Sequence, residues 1–358
     1  MAEFIISGTR TMNAPVEPWP DEDLECVNSC PVCGSHVRSL LYARLTDRVF
    51  AVAPGSWTLY RCTDCASAYL DPRPTPASIG RAYERYYTHL AEDDAAAKPA
   101  SALVRGLHAL QNDYINTRYG LARQPAAFGG RWLVPFVPSL RAKADVQCRH
   151  LPPPPLGGGR ILDVGFGNGR FLKIASDMGW TAEGIDFDPK AVEVARAQGL
   201  NVSCASAAEL ATRNARYDII TLSHVIEHVH DPISLLRVLN RLLKPNGHLW
   251  LDTPNLSSCG SKRFGANWRD LDPPRHLTLF NAISLRTSLT HAGFKRIEQH
   301  WHGMALFSIY AESAAIARGQ CAQEAVHQVL PSFAAIKDEL HEMLHPDERE
   351  FLTLVAFK

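Results

Sequence analysis

Residues 160–170 read Arg160-Ile-Leu-Asp163-Val-Gly165-Phe-Gly167-Asn-Gly169-Arg170, an apolar run followed by three glycines spaced two apart. The apolar part predicts a buried strand over 161–164. The glycines predict a turn whose backbone adopts conformations that a Cβ forbids and that lets a ligand approach closely. A helical pattern over 171–178 follows. Strand, glycine turn and helix are together typical of the front edge of a nucleotide-type site in a doubly wound α/β sheet.

Two acidic residues accompany the glycine turn. Asp163 precedes the first glycine by two residues, and Asp186 ends a second predicted strand over 181–185. Asp186 follows Gly169 by 17 residues, roughly the spacing at which an acidic side chain accepts hydrogen bonds from ribose hydroxyls. The alternative interpretation is a packing turn with a capping aspartate before Pro189. The glycine pattern matches neither G-x-G-x-x-G nor a Walker loop, so the argument depends on the acidic residues.

Further motifs follow in register. They are a second motif at 184–189, a fourth strand at 217–222, a turn and fifth strand at 242–255, a turn at 291–294 and a closing strand at 351–358. Over about 158–300 and the C-terminus the chain resembles a class I S-adenosylmethionine (SAM) methyltransferase. The resemblance implies a Rossmann-like α/β fold, a seven-stranded doubly wound sheet, with SAM as the cofactor.

The same resemblance implies which residues bind the cofactor. At Ser206 the family usually has an aspartate that holds the adenine amino group, and here a serine hydroxyl or a neighbouring backbone group would have to reach the adenine. The implied cofactor-binding residues are Asp163, Gly165, Phe166, Gly167, Gly169, Asp186, Phe187, Ser206, Ala207, Ser223 and Tyr87.

Composition narrows the class of protein. Of the residues, 46% are apolar and 21% charged, as in ordinary soluble globular proteins. The 37 basic and 37 acidic residues give a net charge of zero, which argues against a broad electrostatic grip on nucleic acid. No apolar run approaches the roughly 20 residues of a membrane span, and the N-terminus lacks a secretory pattern. We therefore expect a cytoplasmic protein with a small-molecule substrate and with neither nucleic acid nor membrane as partner.

Four of the nine cysteines form two C-x2-C pairs, Cys30/Cys33 and Cys62/Cys65, which 28 residues separate. Two such knuckles suit a tetrahedral, structural Zn²⁺ site with four thiolate ligands. The residues between them can form a hairpin with strands over 37–42 and 56–60. A redox pair or a chance spacing are the alternatives, and neither explains two knuckles.

A tyrosine-bearing segment follows the second knuckle. It resembles a methyltransferase subgroup in which a zinc ribbon and a helix with tyrosines help to roof the active site. This resemblance implies a substrate contact for Tyr83 and a cofactor contact for Tyr87, whereas the alternative is packing between domains. The predicted organisation is a zinc-ribbon-like domain at 1–75, a helical segment with a Pro/Gly linker at 76–157, and the methyltransferase domain at 158–358. A helical insertion at about 303–348 is predicted as a cap or as the surface of a homodimer.

The candidate catalytic residues follow the fourth strand, where His224, Glu227 and His228 stand close together in sequence. Methyl transfer needs an aligned nucleophile and, for a hydroxyl or carbon acid, a base, and histidine titrates near the working pH. His224 and His228 lie four apart and are predicted to share a helical face beside Glu227. The string resembles E-x-x-E-H of ubiquinone-pathway O-methyltransferases, and this resemblance implies a divalent metal. Here His224 stands in place of the first glutamate, which argues against metal binding. Hydrogen bonds that only hold the loop are the remaining alternative.

A second cluster follows the fifth strand. In the zinc-ribbon subgroup a W…P-R-H-L…F string forms a loop over the substrate pocket. By that resemblance Trp268 would stack on a ring, Arg275 would bind a carboxylate or phosphate, and His276 would be a base. The alternative is that Arg275 and His276 brace the loop against the sheet.

These observations predict SAM-dependent methylation of a small molecule, either a sugar, a nucleotide-sugar or a natural-product intermediate, at oxygen or carbon. One rival is an RNA methyltransferase, because some ribosomal-RNA guanine methyltransferases also carry a four-cysteine zinc module. The other is a non-catalytic scaffold with a methyltransferase-like domain.

Overall fold

The computed structural model describes residues 18–83, 102–212, 216–322 and 332–358. Its N-terminal part contains five short strands. The predicted hairpin is confirmed, because the second and third strands pair antiparallel and a fourth strand joins them. The strands are β1 (Leu24–Glu25), β2 (Arg38–Leu45), β3 (Trp57–Cys62), β4 (Ala68–Leu70) and β5 (Arg73–Pro74), and β1 pairs with β5.

Between β5 and the main sheet, the described residues form three α-helices, α1 (Ala102–Tyr119), α2 (Gly130–Leu133) and α3 (Pro138–Gln147). The buried carboxylate of Asp145 in α3 accepts hydrogen bonds from the hydroxyls of Tyr114 (2.9 Å) and Tyr119 (2.7 Å), which ties α3 to α1. The proline stretch after α3 packs on the next domain, because Trp180 donates its ring N–H to the Pro152 carbonyl at 3.2 Å. The segment is thus docked on the domain that follows.

The main sheet has seven strands in the order β12-β13-β10-β9-β6-β7-β8, and all neighbours are parallel except those of β13. Its central strands are apolar on both faces, as expected where helices cover both sides. The predicted seven-stranded doubly wound sheet is therefore confirmed. The strands are β6 (Arg160–Val164), β7 (Thr181–Asp186), β8 (Val202–Cys204), β9 (Tyr217–Ser223), β10 (Leu243–Pro254), β11 (Thr278–Leu279, outside this sheet), β12 (Arg296–His300) and β13 (Phe351–Phe357).

Eight helices accompany these strands. The insertion predicted at 303–348 contains the last two, and residues 323–331 within it lie outside the described ranges. The helices are α4 (Arg170–Asp177), α5 (Pro189–Ala197), α6 (Ala207–Thr212), α7 (Pro232–Leu242), α8 (Cys259–Phe264), α9 (Ala282–His291), α10 (Leu306–Ala317) and α11 (Phe333–Leu344). Over the ranges given above, no helix combines the length and the apolar character needed to cross a bilayer.

The N-terminal strands share a sheet and a core with the rest of the chain. Strand β11 pairs antiparallel with β4, so the four-stranded N-terminal sheet has the order β11-β4-β3-β2. One apolar cluster contains Trp57 and Leu70 from this sheet. It also contains Trp268 and Leu277 from the segment that precedes β11. The two parts of the chain are therefore joined by backbone pairing and by a common core.

Candidate functional site

The glycine turn joins β6 to α4 at the carboxyl edge of the sheet. Gly165 has φ +70° and Gly169 has φ +79°, in the left-handed region that favours glycine. A Cβ at Gly165 would lie 2.4 Å from Val225 Cγ2, and one at Gly169 would lie 2.4 Å from Leu200 Cδ1. Both positions therefore require glycine, which is the reason that we gave from the sequence.

Asp186 ends the neighbouring strand β7 and lies beside the glycine turn. Its Oδ2 accepts a hydrogen bond from the Gly167 N–H at 3.3 Å, and its Oδ1 accepts one from the Asp188 N–H at 3.0 Å. Burial raises the pKa of this carboxyl above its ordinary value. Phe187 follows with 68% of its surface exposed. An acid and an exposed ring thus stand next to a loop of backbone N–H groups, as a ribose and a purine require.

Several residues assigned to the cofactor have other partners in the protein. Asp163 is fully buried and binds the Arg149 guanidinium and the Thr221 hydroxyl, the latter at 2.8 Å. The ring of Phe166 is buried in an apolar cluster with Leu172. Both side chains are buried and contact the protein itself, so the cofactor contacts expected of them stay predictions.

The residues expected at the adenine show a similar pattern. The Ser206 hydroxyl accepts a hydrogen bond from the Glu209 N–H at 3.3 Å and so caps α6, and Ala207 is buried. Ser206 is exposed and its hydroxyl can still donate a hydrogen bond, so its contact to adenine stays a prediction. Ser223, the last residue of β9, is half-buried at the edge where the predicted site lies. Tyr87 lies outside the described residues.

His224 follows β9 directly and lies between two buried carboxylates. Its Nδ1 is 3.3 Å from Glu227 Oε1 and its Nε2 is 3.3 Å from Asp252 Oδ2. Its side chain is 39% exposed, whereas those two acids are buried. Burial lowers the pKa of His224, but the hydrogen bonds to Asp252 and Glu227 outweigh it and raise the pKa well above its ordinary value. The cluster therefore stabilises the imidazolium form, and His224 can accept a proton only at a pH above this raised pKa.

His228 occupies a different environment. Its Nδ1 lies 3.0 Å from the Tyr83 hydroxyl and 3.0 Å from the Arg275 carbonyl. Burial lowers the pKa of His228 to about 4, so the ring is neutral. The shared helical face predicted for His224 and His228 is wrong, because His224 has φ +51° and only Ile226–His228 forms a short 3-10 turn.

Tyr83 connects the N-terminal part to both halves of the site. Besides its contact with His228, its ring packs edge-on against Phe187 with centroids 5.8 Å apart. It thus links the predicted cofactor side with the histidine loop. The position of Tyr83 fits the predicted role in roofing the active site, and it fits the alternative of packing between domains equally well.

The three residues of the W…P-R-H-L string are buried and bonded internally. Trp268 donates its ring N–H to Glu350 Oε1 at 2.6 Å. Arg275 is fully buried, with Nη2 2.6 Å from both Asp47 Oδ1 and Asp272 Oδ1. His276 is 3% exposed, and its Nδ1–H donates to the Asp270 carbonyl at 2.6 Å. These contacts correct the expected substrate roles of Trp268 and Arg275 and the expected base role of His276, because all three brace the loop.

Glu227, His228 and His276 have potential metal-ligand atoms within 4.8 Å of one another. Each already has a partner in the protein, since Glu227 also accepts a hydrogen bond from the Thr253 hydroxyl at 2.9 Å. We assign this group to holding the loop and place no metal there.

Asp252 is the functional residue that sequence reasoning missed. Its Oδ2 contacts His224, its Oδ1 accepts a hydrogen bond from the Thr353 hydroxyl at 2.6 Å, and the His302 Nε2 lies 3.7 Å from Oδ2. The sequence did carry a signal, an acidic residue near the end of the predicted fifth strand. Because β9 and β10 are parallel and pair Ser223 with Asp252, this acid lies beside the residue that precedes His224.

The four cysteines form a compact cluster. Cys30 Sγ lies 3.6 Å from Cys65 Sγ, and Cys33 Sγ lies 3.5 Å from Cys62 Sγ. Both knuckles make the same backbone bonds, from Gly34 N to the Cys30 carbonyl and from Ala66 N to the Cys62 carbonyl. Zn–S bonds of about 2.3 Å place tetrahedral sulfurs about 3.8 Å apart, and disulfide sulfurs lie about 2.05 Å apart. The donor set therefore fits a zinc ion.

Comparison with known proteins gives a match over the middle of the chain. Residues 141–299 match the family model described as a methyltransferase domain, and the match begins within α3, upstream of residue 158. The chain is 38% identical over 107 residues to a ubiquinone biosynthesis O-methyltransferase of Xanthomonas oryzae pv. oryzae, covering 28% of this chain and 45% of the relative. A protein of the same name from Xylella fastidiosa is 34% identical over 140 residues, covering 36% and 57%.

A similar solved structure is a SAM-dependent methyltransferase from Archaeoglobus fulgidus, with a TM-score of 0.40 and 19% identity over 56% of this chain and 87% of that one. The chain spans about half the length of the curated relatives that it matches. The glycine turn, Asp186 and the His224 cluster all fall inside the matched region. Residues 141–299 thus resemble a methyltransferase domain, and they carry six of the seven strands of the Rossmann-like sheet, whose remaining strand is β13.

Proposed function

We propose that the chain is a SAM-dependent methyltransferase that methylates a small molecule, with a hydroxyl oxygen as the favoured acceptor atom. The observation that carries this proposal is His224, half-exposed between Glu227 and Asp252, at the edge that also holds the glycine turn and Asp186. The names of the curated relatives support oxygen over carbon. Sugars, nucleotide-sugars and natural-product intermediates remain the proposed acceptor classes.

In this proposal the cofactor supplies a methyl group on a positively charged sulfur, which is already a good leaving group. The chain's own residues bind, align and deprotonate. Asp186 and the glycine turn would fix the ribose, and Phe187 would pack on the purine. His224 would take the acceptor proton, and the Glu227 and Asp252 carboxylates would stabilise the imidazolium that forms.

Asp186→Ala is expected to weaken SAM binding about tenfold to a hundredfold. Losing hydrogen bonds to a carboxylate costs about 1.5–3 kcal/mol, and every 1.4 kcal/mol is about tenfold in Kd. Titration calorimetry with SAM and S-adenosylhomocysteine measures the change. Asp177→Ala, an exposed aspartate at the end of α4, is the control and should bind like wild type. Wild-type protein that binds neither compound would favour the scaffold alternative.

We also propose that Cys30, Cys33, Cys62 and Cys65 hold one structural zinc ion. The ion would use all four positions and would take no part in the chemistry. Zinc binding would contribute folding free energy to the N-terminal sheet.

Cys30→Ala/Cys62→Ala is expected to lose the zinc and to lower the melting temperature. Elemental analysis should give about one zinc per wild-type chain and none in the double variant. Cys26→Ala/Cys321→Ala, which changes two cysteines outside the cluster, should retain the metal. Wild-type protein purified without chelator that contains no zinc would contradict the assignment.

RNA methylation is the alternative that the same fold allows. The zero net charge disfavours it, and a salt-sensitive gel shift with RNA would revive it. The homodimer and the cytoplasmic location predicted from the sequence stay predictions.

A further inference from the structure

A short segment before α3 exposes an unusual amount of apolar surface. Five large side chains within residues 128–137 are exposed, namely Phe128 (80%), Trp132 (54%), Leu133 (57%), Phe136 (84%) and Val137 (41%). We call this the 128–137 surface. Soluble proteins rarely leave a contiguous apolar patch of this kind without a function.

The segment is held firmly against α1, so its rings protrude from an ordered base. Ala127 donates its N–H to the Ala109 carbonyl at 2.9 Å. A Cβ at Gly130 would lie 1.9 Å from the Leu110 carbonyl oxygen, so α2 packs closely on α1 there. The Arg131 guanidinium binds Asp113 at 2.9 Å. The projecting side chains are therefore part of a fixed structure.

Arginine and aromatic groups are combined on this surface. The Arg131 guanidinium carbon lies 5.7 Å from the Phe128 ring centroid and 5.4 Å from that of Trp132. The two rings pack edge-on with centroids 5.0 Å apart. Aromatic rings beside cationic side chains are typical of groups that sit at the boundary between lipid and water.

The surrounding helices carry a concentrated positive charge. Residues 102–147, which span the three helices, contain six Lys or Arg and two Asp, a net charge of +4 in a chain whose total is zero. Arg141 is exposed one turn beyond Val137. Basic residues near the surface of an anionic bilayer are attracted to it. The charge and the apolar side chains therefore lie in the same part of the molecule.

We propose that the 128–137 surface binds peripherally to a bilayer that contains anionic lipid. Side chains that expose four fifths or more of their surface, as Phe128 and Phe136 do, suit insertion between headgroups better than a flat contact with another protein. This proposal replaces the absence of a membrane partner that we predicted from the sequence. It stands on the surface alone and does not depend on methyl transfer.

The surface is connected to the candidate site through α3. Gly303 packs on this helix, because a Cβ there would lie 2.6 Å from the Ser139 carbonyl oxygen. The preceding residue, His302, contacts Asp252. Helix α3 therefore connects the 128–137 surface with the loop beside Asp252. A bilayer bound at this surface would contact the side of the molecule that α3 links to the candidate site.

Sedimentation of the full chain with vesicles tests the proposal. We expect binding to phosphatidylcholine vesicles that contain phosphatidylglycerol, weaker binding to phosphatidylcholine alone, and loss of binding as salt is raised. Trp132→Ser/Phe136→Ser should lower the vesicle partition coefficient about tenfold or more, because two aromatic rings no longer leave water. Phe333→Ser/Leu344→Ser removes equally exposed side chains from α11 and should bind like wild type.

Three outcomes would overturn the proposal. Wild-type protein that stays in the supernatant at low salt would do so. Equal binding by Trp132→Ser/Phe136→Ser, at an unchanged melting temperature, would place the lipid contact elsewhere. A wild-type dimer in light scattering that this variant converts to a monomer would show that a second copy covers the surface instead.

Discussion

Replacing His224 with asparagine is expected to lower kcat by about 10²–10⁴-fold and to leave the Kd for SAM nearly unchanged. The range is that of a positioned acid–base group. His224 is the half-exposed member of its cluster, whereas Glu227 and Asp252 are buried and act through it. The assay follows S-adenosylhomocysteine release with an acceptor found from a panel of hydroxylated small molecules.

The pH profile separates a base from a residue that only shapes the pocket. The base must be neutral before it can accept a proton, and the pKa of His224 is raised well above 6.5. We therefore expect kcat to rise as pH increases through neutrality and to level off above that raised pKa. Asp252→Asn removes one stabilising carboxylate and should move the rise to lower pH.

His248→Asn is the matched control, because His248 lies in β10 away from the carboxyl edge and should keep wild-type turnover. Near-wild-type turnover of His224→Asn would remove the base assignment. So would a kcat that is flat across this pH range in wild type.

Replacing Arg275 with methionine is expected to lower the free energy of unfolding by about 3–5 kcal/mol. Removing one partner of a buried ion pair leaves uncompensated charge in the interior. Here the guanidinium binds Asp47 and Asp272 and donates to the Ala82 carbonyl at 3.0 Å, so the variant leaves two acids without their cation. Urea unfolding followed by circular dichroism measures the loss.

An exposed ion pair provides the comparison. Lys262 pairs with Glu348 at 2.9 Å, with 53% and 36% of these side chains exposed. Lys262→Met should therefore change the stability by less than about 1 kcal/mol. A loss below about 1 kcal/mol in Arg275→Met would mean that the buried pair contributes no more than this surface pair.

Local patterns were sufficient to predict the sheet and the cofactor edge. The strand, glycine turn and helix at 160–177 depend on apolar periodicity and on backbone freedom, which neighbouring residues determine. The spacing of Asp186 reflects the length of one helix and one strand, so it could be counted along the chain. His224 was predicted because it follows a recognisable strand directly.

Most of the errors involve contacts between distant parts of the chain. Arg275 was predicted to face a substrate because Asp47, its partner, lies 228 residues away. Asp252 was missed because its contact with His224 depends on the register between β9 and β10. The tautomer and surroundings of His228 depend on Tyr83, 145 residues earlier. No local pattern specifies such pairings.

The short strand β11 has a consequence for the order in which the chain folds. Strand β4 (residues 68–70) pairs with β11 (residues 278–279), which is synthesised about two hundred residues later. Until then β4 presents unpaired backbone groups along the edge of the sheet, which is a template for association with other chains. The cysteine module is thus synthesised early relative to β11 but completes its sheet late. A fragment that ends before residue 278 would expose this edge permanently.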